Sequence, residues 1–105
     1  MLRTAVLLLL LGVIGGCGPE EPVRVGFLGG LSGRVADLGE AGRNGAQIAV
    51  EEVNRAGGID GRRVELIVRD DAQNSEKAIS AINELIGARV EAIVGPMTSA
   101  MAEVV

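Results

Sequence analysis

The sequence has no His, Trp or Tyr, one Cys, one Phe and three Pro. Without His, neither a Ser-His-Asp nor a Cys-His nucleophile system can be assembled from this chain. A single Cys excludes an intrachain disulfide, and with no His beside it the common zinc sites are excluded as well. Basic residues are the minority charge, 10 Lys+Arg against 14 Asp+Glu, for a net charge of −4. A nucleic-acid surface needs a basic patch to neutralise phosphates, so no nucleic-acid partner is expected. No apolar run is long enough to cross a bilayer. The longest, Ala5 to Gly16 with its glycines included, has 12 residues, and a spanning helix needs ~20.

What is present divides into two unequal parts. Residues 1–16 carry 11 apolar residues and one charge, Arg3. A short positive start, an apolar stretch and small residues at its end are the pattern of an export signal. The only Cys follows directly, in Ile14-Gly15-Gly16-Cys17. This tetrapeptide resembles the bacterial lipoprotein box, in which the Cys is acylated and becomes the mature N-terminus. A plain secretory signal is the alternative. Residues 17–22, with Pro19 and Pro22 around two Glu, form a short polar tether. Beyond it, residues 23–105 make one small domain at most.

That domain alternates strand and helix signals. Val23 to Leu28 is an apolar run bounded by Pro22 and Gly29-Gly30, the first expected strand. Leu38 to Ala56 is expected to be helical, with Leu38, Ala41, Gly45, Ile48, Ala49, Val53 and Ala56 on one face and Gly57-Gly58 as the stop. Asp60-Gly61 predicts a tight turn and Val64 to Val68 a second strand. Asn74 is placed to cap a second helix, whose apolar stripe is Ala78, Ile79, Ile82, Leu85 and Ile86. Val90 to Val94 predicts a third strand, and Thr98 to Val105 a third helix.

Strands alternating with helices of this length indicate βαβ units. The expected fold class is α/β, a βαβαβα opening segment of a doubly wound parallel sheet. Right-handed crossovers place the second and third strands on either side of the first. Such sheets bind ligands at the carboxyl ends of their strands. The loops Gly29 to Asp37, Arg69 to Asn74 and Gly95 to Ser99 are therefore the candidate site.

The first of these loops is rich in glycine, but a dinucleotide fingerprint ending at Gly33 would need Gly where Leu28 stands. No Walker A sequence occurs either, and no cofactor is expected. Asp70-Asp71 admits a metal or phosphoacceptor reading; the plainer one is a pair of loop carboxylates that cap turns. Thr98 and Ser99 offer hydroxyls at a helix start, where free N–H groups favour an anion.

Several segments together carry a resemblance. In order, they are Gly29-Gly30-Leu31-Ser32-Gly33, Gly39-Glu40, Asn44-Gly45-Ala46, Asn54-Arg55-Ala56-Gly57-Gly58-Ile59-Asp60-Gly61, Asp70-Asp71-Ala72, Glu76-Lys77-Ala78 and Ile93-Val94-Gly95-Pro96. Their order and spacing resemble the N-terminal lobe of the branched-chain-amino-acid type of ABC-transporter solute-binding protein, the type I periplasmic binding fold. The resemblance covers Val23 to Val105.

The resemblance implies a binding protein, not an enzyme, that delivers a small amino-acid-like ligand to ABC permease subunits. It also implies an exported protein, lipid-anchored to the membrane through Cys17. A ligand-sensing domain of the same fold, regulating a partner protein, is the alternative. Ser99 aligns with the Ser that holds the ligand carboxylate in the family, with Thr98 and the Ala100 amide beside it. Leu38 stands where relatives often carry Tyr. It can line an apolar pocket but cannot stack or hydrogen-bond, which leaves amide and aromatic-acid ligands open beside leucine. Family members are several-fold longer and close two lobes around the ligand, so the chain reads as a fragment of lobe one.

Overall fold

The computed structural model describes residues 20–105; residues 1–16, expected to be an export signal, and Cys17 lie outside the described residues. Three strands form one parallel sheet in the order β2-β1-β3. The central strand β1, Val23–Gly29, pairs with β2, Val64–Asp70, from Val23↔Val64 to Gly29↔Asp70. On its other side it pairs with β3, Ala92–Val94, from Val25↔Ala92 to Phe27↔Val94. A central parallel strand is covered on both faces, which is why β1 reads as a continuous apolar run. Phe27 and Leu28, neighbours that point to opposite faces, are both fully buried.

Helix α1, Ala36–Arg55, follows a short 3-10 turn at Gly33–Val35 and connects β1 to β2. Helix α2, Ser75–Gly87, carries the chain from β2 across to β3. The two helices cover opposite faces. Gly26 lies under Leu85 of α2, whereas Gly42 of α1 faces the Phe27 ring and Met97. The crossover reverses direction after β2, so helices on opposite faces mean that both crossovers share one hand, as right-handed connections require. The third helix, α3, is a single turn, Ser99–Ala102.

The local signals act as their chemistry dictates. Gly57 and Gly58 take positive φ (106° and 81°). Their amides bond back to Asn54 and Val53, at 3.1 and 2.9 Å, in the paired pattern that closes a helix C-terminus. Asp60 and Gly61, with φ 50° and 77°, form the two-residue turn whose flanks Ile59 and Arg62 exchange both backbone bonds. Asn74 caps α2 by accepting from the Lys77 amide at 3.0 Å. The side chain of Asn54 pairs with both backbone groups of Val64, at 2.7 and 2.9 Å, and locks the end of α1 to the start of β2.

Several expectations need correction. The expected stripe of α1 holds only in part: Gly45, Ala49 and Val53 line a groove facing the sheet, but the large members of the stripe do not pack there. Gly39 is its buried position, while Leu38 and Ile48 are 47% and 56% exposed. On α2 the buried residues are Ala78, Ala81 and Leu85; Ile79 and Ile86 face out. α1 presses glycines, Gly39 and Gly42, against the strand-end region, whereas α2 packs Leu85 over Gly26 of the strand. β2 runs two residues further than expected, to Asp70, and β3 begins at Ala92 rather than Val90. Val90 instead packs on the α2 side of the core, with Leu28, Ala81, Leu85, Ile67, Ile82 and Ile93.

Candidate functional site

The carboxyl ends of the three strands bring the three expected loops to one edge of the sheet. β2 ends beside the end of β1, with Gly29 opposite Asp70. This register places the Asp70 carboxylate against the first loop. Its Oδ1 accepts from the Leu31 amide at 2.8 Å and from the Ala72 amide at 2.8 Å. Its Oδ2 accepts from the Ser32 hydroxyl, also at 2.8 Å. Asp70 is thus the clamp between the first and second loops. Burial by itself would push its carboxyl up. The Leu31 and Ala72 amides, the Ser32 hydroxyl and the Lys77 charge outweigh that and hold it below the usual carboxylate range.

Asp71 turns the other way and is fully buried. Its Oδ1 accepts from both the backbone amide and the side-chain Nε2 of Gln73, at 2.8 and 3.0 Å. Its own amide donates to the Gly29 carbonyl at 2.9 Å. Among the described residues its Oδ2 has no hydrogen-bond partner. The bonds from Asp70 to Ala72 and from Asp71 to Gln73 are successive Asx turns. They hold Ala72 and Gln73 in the left-handed region, with φ 49° and 53°. Backbone of this kind is uncommon for residues with a side chain and gathers at functional sites.

The third loop begins at Gly95, whose φ is 114°. A Cβ there would overlap the Leu28 carbonyl, so only Gly lets this loop leave the sheet so close to β1. Met97 then packs against Gly29 and Gly42 and seats the loop on β1 and α1. Gly39 completes the junction: a Cβ on it would overlap the Gly30 carbonyl, so α1 and the first loop touch backbone to backbone.

The predicted site residues fall as follows. Thr98 is half-buried at the start of α3, and its hydroxyl donates to Gln73 Oε1 at 3.0 Å instead of capping the helix. Ser99 and Ala100 are exposed in the first turn of α3. Such first-turn amides have no acceptor within the helix. Leu38 is exposed on α1, next to Gly39. The structure therefore joins Thr98 to the second loop through Gln73, and α1 to the first loop through Gly39. Sequence reasoning places Asp71 in the second loop as a turn-capping carboxylate, which its bond from the Gln73 amide shows it to be; it does not single out Gln73. The available signal was the stretch Asp70-Asp71-Ala72-Gln73-Asn74, polar but for Ala72, at the end of the second strand.

Two larger hollows lie elsewhere. One of about 660 Å³, with Asn54, Arg63 and Glu65 in its lining, sits beside the start of β2. At that same end, Arg62 donates to the Glu21 carbonyl at 3.0 Å and pairs with Glu91 at 3.0 Å, fastening the entry of the chain. The other, of about 390 Å³, is an apolar groove between α1 and the sheet, lined by Val25, Ala46, Ala49, Leu66 and Val94. Neither includes the polar residues gathered at the strand ends. Among the described residues no cluster of metal-ligating side chains occurs, and no helix is long and apolar enough to cross a membrane.

Comparison with known proteins bears on this geometry. A family model described as periplasmic binding protein matches residues 22–105. The Leu/Ile/Val-binding protein BraC3 of Rhizobium johnstonii is 41% identical over 80 residues, which are 76% of this chain and 22% of the relative. Among solved structures, the branched-chain amino acid transporter substrate-binding protein LivJ of Streptococcus pneumoniae, in complex with isoleucine, is 38% identical. It superposes with a TM-score of 0.74 over 78% of this chain and 24% of that one. A fatty acid ABC transporter substrate-binding protein from Thermomonospora curvata is 34% identical, with a TM-score of 0.67 over 82% of this chain and 24% of that one. The chain thus spans about a fifth to a quarter of the length of these relatives.

Proposed function

The chain belongs to the periplasmic binding protein family, and from that premise we propose that it is part of the extracytoplasmic solute-binding component of an ABC transporter. Its ligand is a branched-chain amino acid or a similar small amino-acid or amide molecule, bound for import and not chemically transformed. The observation that carries this reading is the match to relatives named for leucine, isoleucine and valine, together with the fold they share. The strand-end loops support it as well, since doubly wound sheets take their ligands at that edge.

In this reading the ligand lies over the start of α3. Ser99 and the Ala100 amide hold its carboxylate, Thr98 adds a polar contact, and Leu38 offers aliphatic surface. The ABC permease subunits are the partners. The protein is exported and held at the membrane by a lipid on Cys17. Mass spectrometry of the mature N-terminus tests the anchor: a diacylated Cys17 is expected, and an unmodified Cys17 or cleavage elsewhere refutes it.

The ligand site is tested by calorimetric titration of the full-length protein with L-leucine, L-isoleucine and L-valine. A hydrogen bond to a charged group contributes ~1.5–3 kcal/mol. Ser99→Ala should therefore weaken binding by roughly 10- to 150-fold. Affinity equal to the unsubstituted protein would remove Ser99 from the site.

A further inference from the structure

Thr98 begins α3, yet its side chain does not cap that helix. The hydroxyl instead reaches 25 positions back along the chain and donates to Gln73 Oε1 at 3.0 Å. The Gln73 amide cannot turn its other end to Thr98, because its Nε2 donates to Asp71 Oδ1 at 3.0 Å. A carboxylate oxygen only accepts, and Asp71 is fully buried, so Asp71 dictates which way the amide faces. Gln73 is further immobilised by its own backbone amide on the same oxygen at 2.8 Å. Each proton in the series Thr98, Gln73, Asp71 therefore points back toward the buried carboxylate.

We infer that Asp71 and Gln73 are positioning residues: they hold Thr98, and through it the turn of α3 that presents Ser99 and Ala100. The tie itself is independent of the function proposed above; its service to a ligand rests on that reading. It also sets the polarity of the site. The Thr98 proton is committed to Gln73, so toward a ligand Thr98 offers only lone pairs and suits an ammonium or amide N–H. Ser99 is exposed in the first turn of α3, where its hydroxyl can donate to a carboxylate.

Amide hydrogen exchange of the full chain, read by mass spectrometry, tests the tie. Thr98→Val removes the hydroxyl at nearly constant shape, Gln73→Leu removes both amide groups, and Thr98→Ser keeps the hydroxyl. Exchange across residues 102–104, whose amides donate to the Thr98, Ser99 and Met101 carbonyls, should rise roughly 2- to 10-fold in Thr98→Val and in Gln73→Leu, as expected for one lost hydrogen bond. The double variant should be no worse than the worse single one, because both changes break the same series. Thr98→Ser should stay within about twofold of the unsubstituted chain, which a role in packing alone would not predict. Unchanged exchange in 102–104, or effects that add, would overturn the inference. Titration of the full-length protein with L-isoleucine separates it from the transport reading. Exchange results as expected with no isoleucine binding would leave the tie standing and remove the ligand.

Discussion

Asp70→Asn isolates the charge of the interloop clamp at almost constant shape. The ionised carboxylate accepts three hydrogen bonds, from the Leu31 amide, the Ala72 amide and the Ser32 hydroxyl, each at 2.8 Å. The Asn oxygen can keep the two amides, and the Ser32 hydroxyl can rotate to accept from the new amide group. What is lost is charge assistance, which roughly doubles the strength of such bonds. With a net worth of ~1 kcal/mol per ordinary bond, and with solvent screening because Asp70 is exposed, the cost at neutral pH should be about 1 kcal/mol. The pH dependence follows from the lowered carboxyl. A group whose folded-state pKa is depressed stabilises the fold above its unfolded pKa, ~3.9 for Asp, and that stabilisation is lost as pH falls through the folded value. The gap between the unsubstituted chain and Asp70→Asn should therefore be full at pH 7 and shrink at acid pH, once the pH lies below the unfolded value of ~3.9. Other carboxylates titrate in both proteins and cancel in the difference. Urea titrations followed by circular dichroism at neutral and at acid pH measure this gap. An equal gap at the two pH values, or none at pH 7, would refute the assignment of Asp70 as a charged clamp.

Two further substitutions test the packing that carries the loops. Leu85→Ala empties the centre of the core beneath Leu28 and Ala81; urea titration should show a loss of ~2–5 kcal/mol. Gly39→Ala sets a methyl group on the Gly30 carbonyl and should cost ~1–3 kcal/mol as α1 is pushed off the first loop. Stability equal to or above that of the unsubstituted chain would show that α1 and the loop do not meet there.

The alternation of strands and helices, the parallel β2-β1-β3 order and the gathering of the three loops at the strand ends were all legible in the sequence. They rest on short-range physics. Gly57-Gly58 and Asp60-Gly61 supply backbone conformations that few other residues adopt, Asn74 bears a cap acceptor, and buried parallel strands need unbroken apolar runs. Only the tertiary structure decided which face of each helix is inward. In α1 the small residues run on both sides of the true contact, so spacing alone could not fix the phase. The large Leu38 and Ile48 drew the expected stripe to the exposed side. The tertiary structure likewise set the opposite fates of two adjacent identical residues. At the end of a strand, neighbouring side chains point to opposite faces. Asp70 consequently meets the first loop in solvent, while Asp71 is buried against Gln73 and reaches Thr98 through it. Contacts between loops so far apart along the chain depend on sheet register, here Gly29 opposite Asp70, and parallel strands joined by long crossovers have no hairpin turn to fix that register locally.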